Sequence, residues 1–177
     1  MANLKTYFLF VLLLFCFGKF LKSQAKEEFW GLTTTGGISD KGLIYKTDSN
    51  GLNQEVLYKF EETTGWNPYY VELLKAPNGK YYGTASAGGA NQQSVLFSWD
   101  PITNKYEKEA EFFGNSPFVG WNARGSLKMD YYGSMYGFTN GYLFRFHPGL
   151  KTLSLRHRFN SSTEGSPYQN TPLIMPD

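Results

Sequence analysis

Residues able to do chemistry are few in this chain of 177. It carries two histidines, His147 and His157, and one cysteine, Cys16. A metal site usually gathers three or four close ligands, and a histidine pair with no cysteine or carboxylate motif falls short of that. His147 lies in an expected turn and His157 in an expected strand between Arg156 and Arg158, so neither reads as a ligand. No Gly-x-Ser-x-Gly elbow occurs. Carboxylates gather at Glu61-Glu62 and at Glu107, Glu109 and Glu111, and paired carboxylates are what glycoside hydrolysis uses. On a strand, a spacing of two puts the latter three on one face, where alternation with Lys108 and Ala110 reads as solvated surface. Asp48-Ser49-Asn50-Gly51 offers oxygens to calcium but lacks the distal glutamate of an EF-hand loop, and turn chemistry accounts for it. The glycine-rich stretches precede no Gly-Lys-Ser/Thr and no helix start, so they read as backbone with positive φ. No catalytic residue, metal ligand or cofactor site is expected.

What remains is binding by aromatic side chains. Trp66, Tyr69 and Tyr70 sit at one glycine- and proline-containing loop; Phe118 and Trp121 occupy the matching place further on, and Tyr168 does so a third time. On a shared rim these six rings would stack on sugar faces or grip a peptide. The competing reading has them packing between repeats.

The elements that position those loops recur. Phe29–Gly37 reads FWGLTTTGG, Lys80–Gly89 reads KYYGTASAGG and Met135–Gly141 reads MYGFTNG. Gly31, Gly83 and Gly137 lie 52 and 54 positions apart, a period expected of propeller blades or similar arrays. After each comes a short apolar strand: Gly42–Lys46, Ser94–Ser98 and Gly141–Arg145. Polar turns follow at Thr47–Gly51, Asp100–Asn104 and His147–Gly149. A third strand ends in phenylalanine each time, at Phe60, Phe112 and Phe159. Val71–Lys75, Ser126–Met129 and Leu173–Met175 are predicted to close each unit as its fourth strand. The expected fold is all-β: three four-stranded antiparallel, blade-like repeats of 50–54 residues, at about 28–79, 80–133 and 134–177, forming a partial β-propeller or propeller-like arc. The third unit reads as incomplete, because Pro176-Asp177 falls where the first unit has the Pro-Asn-Gly turn; the sequence is therefore expected to be a fragment of a longer array. An arc with open edges is expected to aggregate.

The order aromatic-Gly-Thr-x-x-Gly-Gly, Gly-x-Ile/Leu-Phe/Tyr, Asp-x-x-Gly, a strand ending in Phe, then Gly-x-x-Pro and Leu-Leu-x-x-x-Asn-Gly resembles the GloVer tandem repeat, over residues 28–177. The first copy, Trp30-Gly31 to Asn78-Gly79, matches best. The second has Ser94 where a glycine is usual and lacks a proline near Trp121, and the third has lost much of the loop between Gly137 and Gly141. The resemblance implies an exported bacterial protein of β-propeller-like architecture, often followed by an anchor or sorting domain, with no catalytic residues to transfer. A kelch-like propeller is the second resemblance, carried by Gly88-Gly89 and Trp99-Asp100-Pro101-Ile102-Thr103.

Ahead of the repeats, Lys5, an apolar run from Tyr7 to Gly18 and Ser23-Gln24-Ala25 read as a signal peptide over residues 1–25. The run is shorter than the roughly 20 apolar residues a membrane span needs, and Phe15 before Cys16 is too bulky for lipoprotein processing. Three of 17 basic residues leave with the leader, so 14 face 15 acidic ones in a cysteine-free mature chain. Without a clustered basic surface, no nucleic-acid partner is expected. The expected role is a secreted or cell-surface binding or adhesion module for glycan or extracellular protein. The rivals are a fragment of a polysaccharide-active enzyme and a structural spacer presenting a distal domain.

Overall fold

The computed structural model describes residues 27–37, 39–112, 120–167 and 169–175. The leader predicted over residues 1–25 lies outside them. The described residues contain no helix and eleven strands in three antiparallel sheets. The first sheet holds β1 (Glu28–Thr33), β2 (Leu43–Asp48) and β3 (Glu55–Lys59). The second runs β4 (Leu74–Lys75), β5 (Tyr81–Ala85), β6 (Ser94–Asp100) and β7 (Lys105–Phe112); the third runs β8 (Lys128–Met129), β9 (Met135–Thr139), β10 (Tyr142–His147) and β11 (Thr152–Arg158). The all-β, blade-like expectation holds.

The closing strands need correction. They are two residues long, and they do not close their own unit. β4 pairs with β5 (Leu74 opposite Tyr82) and β8 with β9 (Lys128 opposite Tyr136), so each unit hands its last strand to the next sheet. Leu173–Met175, expected to be the third such strand, forms none. The hand-over is stitched by side chains: Glu72 N–H donates to Ser126 Oγ at 2.9 Å, and Ser126 N–H donates to Thr171 Oγ1 at 3.2 Å.

Three local devices repeat. Gly31, Gly83 and Gly137 face Tyr45, Phe97 and Phe144 directly across the strand pair. Each ring lies over its glycine so closely that a Cβ would meet it at 2.5–2.7 Å; the glycine is needed for close approach, not for its φ. Each second and third strand are offset by one extra residue, a β-bulge at Leu57, Glu109 and Arg156. Three of the turns are tied by an aspartate that accepts backbone N–H groups: Asp48 from Asn50 and Leu52, Asp100 from Ile102, Asp130 from Tyr132 and Ser134; Asn78 does the same for Lys80 N–H at the turn between β4 and β5. Asp48 spends its oxygens this way, and on Asn53 Nδ2 at 2.7 Å, which answers the calcium-like pattern there.

The sheets stack in chain order, and one core lies in each seam. Between the first and second sheets, Ile44, Phe60, Phe97 and Trp99 are buried, with Tyr58 stacked on Tyr106 at 4.0 Å. Between the second and third, Tyr82, Leu96, Phe112, Phe144 and Phe146 are buried, with Phe112 edge-on to Phe144 at 4.9 Å. Along the middle strands the faces alternate: Val95, Phe97 and Trp99 look back to the first sheet, Leu96 forward to the third.

The glutamate series also departs from its predicted single solvated face. The bulge breaks the period of two. Glu111, opposite Val95, accepts from Ala90 N–H and pairs with Lys108. Glu107 and Glu109 turn instead toward the third sheet. There Lys151 pairs with both, Lys80 lies 3.1 Å from Glu107, and Ser98 Oγ donates to Glu109 at 2.7 Å. The Glu109 side chain is 2% exposed. This is an ion lock between sheets.

Candidate functional site

Of the six aromatics singled out, Phe118 and Tyr168 lie outside the described residues. The other four divide into two settings. Trp66 forms a β-bridge with Ala87, the segment just after β5, and is half-buried in the first seam. Lys41 Nζ sits 4.1 Å from its ring centroid, and a Cβ on Gly88 would touch the ring at 2.8 Å. Its ring is taken up in joining the first unit to the second.

Tyr69, Tyr70 and Trp121 are different. Tyr69 and Tyr70 meet edge to face at 4.3 Å, with their hydroxyls 3.5 Å apart. Tyr70 is 59% exposed and has φ +56, a left-handed conformation that bulky residues rarely adopt. Such strain survives only where the surroundings impose it, and it concentrates at functional positions. Gly125 N–H reaches the Tyr69 carbonyl at 3.4 Å and ties the second unit's loop to the first. On that loop Arg124 lies over the Tyr69 ring at 4.9 Å, and its Nε donates to Asn122 Oδ1 at 2.8 Å. Trp121, three residues before Arg124, is 44% exposed. Arg124 is the residue that sequence reasoning missed: nothing in its neighbourhood signals that the hand-over brings it across a tyrosine one unit earlier.

Tyr70 is thus exposed beside a guanidinium held in place by Tyr69 and Asn122, and Trp121 is exposed on the loop that carries Arg124. The patch offers apolar ring faces beside fixed N–H donors. Among the described residues it shows no nucleophile–base pair. The two histidines are engaged elsewhere and separately: His147 Nδ1 accepts from Leu150 N–H at 3.3 Å, and His157 pairs with Glu164 at 3.5 Å while sitting edge-on to Phe159. A second concavity, about 370 Å³, runs between Glu28, Trp30, Leu32 and Glu72, Leu73, Tyr81. Its walls are the Trp30–Tyr81 stack at 5.1 Å and an acidic group that Lys46 neutralises.

Among the described residues no helix is long and apolar enough to cross a membrane. Compared with known proteins, residues 18–175 match the model of the Gloeobacter/Verrucomicrobia repeat. A search of curated proteins finds no match.

Proposed function

The chain belongs to the Gloeobacter/Verrucomicrobia repeat family, and from that premise we propose that it is an exported, non-enzymatic module that binds glycans through the Tyr69–Tyr70–Trp121–Arg124 patch. The observation that carries this is Tyr70: an exposed tyrosine in left-handed backbone, fixed against Tyr69, with Arg124 across the same ring. Ring faces stack on the C–H faces of sugars, while the guanidinium fork suits hydroxyl and carboxylate oxygens. Export rests on the charged start, apolar run and small-residue sequence of the first 25 residues.

The test is a glycan array followed by calorimetry on a hit, with Tyr70→Ala and Trp121→Ala. Each variant should weaken binding by roughly tenfold, which is about 1.4 kcal/mol, without moving the melting temperature. An array without hits, or affinities untouched by both variants, would sink the proposal. Release of sugar products from a bound glycan would replace it with the polysaccharide-active enzyme.

A further inference from the structure

Five apolar side chains stand in water at the tips of turns. Leu52 lies between β2 and β3, Ile102 between β6 and β7, and Leu150 between β10 and β11, one for each of these hairpins. Tyr131 and Tyr132 lie between β8 and β9, edge to face at 5.6 Å. The five are 64–97% exposed, and among the described residues before Leu173 no other large apolar side chain exceeds 59%. A lone exposed leucine is ordinary on a protein surface, but the gathering of the most exposed apolar groups in one place marks an interaction site.

The topology puts these turns on one rim. In the third sheet Met129 faces Met135, Met135 faces Phe146 and His147 faces Thr152, so the β8–β9 and β10–β11 turns share an end. Between the second and third sheets, Lys80 from the β4–β5 turn and Lys151 from the β10–β11 turn meet the same Glu107, near the start of β7. In the first sheet Trp30, opposite Lys46 and close to the β2–β3 turn, stacks on Tyr81, the neighbour of Lys80. The charges on this rim sort by sign. The carboxylates of Asp48, Asp100 and Asp130 are folded back onto N–H groups of their own turns. Lys75, Lys105 and Lys128, beside the same turns, are exposed and form no ion pair among the described residues. Glu27, ahead of β1, is the exposed counter-charge at this end.

We infer that this rim is a lipid-binding surface, whose five apolar tips enter the headgroup layer of an anionic membrane. A protein interface is built around a continuous, closely packed apolar core. Single side chains on separate turns of neighbouring sheets do not supply one, whereas each can enter a fluid interfacial layer by itself. Tyrosine, with an apolar ring and a wet hydroxyl, suits the membrane–water boundary. The lysine stems lie along the apolar tips while their ammonium groups meet anionic headgroups. The loops carrying Tyr70 and Trp121 follow the far ends of β3 and β7, so a chain seated on its tips turns that patch away from the lipid. The inference stands apart from the glycan proposal, since none of its residues belongs to that patch.

The experiment titrates the full chain, in a Cys16→Ser background, with phosphatidylcholine vesicles that contain or lack phosphatidylglycerol. An environment-sensitive fluorophore is placed on Ile102→Cys at the rim or on Asn91→Cys, in the loop at the other end of β6. The two labels locate the contact on the molecule whatever the apolar run Tyr7–Gly18 does at a vesicle. The label at 102 should shift to the blue on anionic vesicles and the label at 91 should not. Leu52→Asp with Leu150→Asp should raise the lipid concentration for half the shift by roughly tenfold or more. Lys75→Gln, Lys105→Gln and Lys128→Gln together should remove the preference for phosphatidylglycerol. All five positions are exposed, and circular dichroism melts should confirm that these variants fold like the parent. A label at 102 that stays in water would overturn the inference and leave a protein partner as what the tips fit. Equal shifts at 102 and 91, a shift untouched by the two aspartates, or one indifferent to phosphatidylglycerol would overturn it as well.

Discussion

The two seams use one scaffold and hold it together by different chemistry. Both place a backward-facing phenylalanine, Phe97 or Phe144, over a glycine and against a forward-facing phenylalanine, Phe60 or Phe112. Beyond that shared pair they diverge. The first seam adds an aromatic cluster: Tyr58 stacked on Tyr106 and tilted against Trp99, with the Tyr106 hydroxyl donating to the Thr64 carbonyl at 2.5 Å. The second adds charge: Glu107 and Glu109 from the second sheet, Lys80 beside them and Lys151 from the third. The lesson is that the repeat specifies backbone approach and one ring-on-ring contact, while neighbouring positions are free to be greasy or ionic. A seam is then individually addressable.

The largest test asks whether ring-over-glycine is what the period of about 50 residues encodes. Gly83→Ala would put a Cβ 2.7 Å from Phe97, which is fully buried and cannot move aside. A cost of about 3 kcal/mol is expected, the upper end for overpacking a tight core. At Gly31 the ring is Tyr45, half-buried on the outer face, and its clash is at the far end of a side chain free to swing. Gly31→Ala should cost less than about 1 kcal/mol. Urea melts of the two variants decide it; equal costs would mean the glycines serve some other purpose.

Much of this was legible in the chain. The alignment of Gly31, Gly83 and Gly137 led to three sheets, because a ring needs a glycine opposite it and that leaves a mark at fixed spacing. Phe60, Phe112 and Phe159 stand out by the same regular spacing. The bulges left no such mark. An extra residue at Leu57, Glu109 or Arg156 breaks the period of two without a residue type that announces it. That is why the sequence pattern suggests one wet face for the glutamates when two of them are locked between sheets. The strand hand-over was missed for a related reason: Leu74–Lys75 looks the same in sequence whichever neighbour it pairs with. Of the site, the aromatics could be listed but not sorted. Trp66 and Trp121 share a Gly-Trp-Asn setting, and only the packing of Lys41 and Gly88 on Trp66 sets them apart.

A middle-sized effect would sharpen the contrast of ionic and aromatic seams. Glu109→Gln keeps the shape and the bond from Ser98 but removes a buried charge facing Lys151 at 3.1 Å. A loss of about 2 kcal/mol is expected, in the range for hydrogen bonds to charged groups. Tyr106→Phe removes a neutral donor from the other seam and should cost about 1 kcal/mol. If Glu109→Gln proved the milder of the two, the lysines would be satisfied by Glu107 alone and the lock would be a surface feature.

The smallest effect is the one only pH can reach. Lys151 first, and Lys80 second, hold the Glu107 carboxyl down at about 2, against an ordinary value of 4.5. A depressed carboxylate stabilises the fold above its ordinary range, and that contribution fades as pH falls from about 4.5 toward 2. The first seam behaves oppositely: burial pushes Tyr106 well above the usual tyrosine range and raises Tyr58 too, so its contribution is complete below pH 10 and fades only on the alkaline side. The lysines do not separate the seams in base, because Glu107 and Glu109 raise Lys151, and Lys80 is raised as well despite burial opposing its charge. Acid does separate them. Between pH 4.5 and 2, amide exchange should accelerate in β7 and β11 before β2 and β3. The effect should stay below about 1 kcal/mol, since Lys151 is half-exposed and salt screens it. Lys151→Met should shrink the difference to what Lys80 alone sustains, and simultaneous opening of both seams in the parent protein would show that the ionic lock contributes nothing of its own.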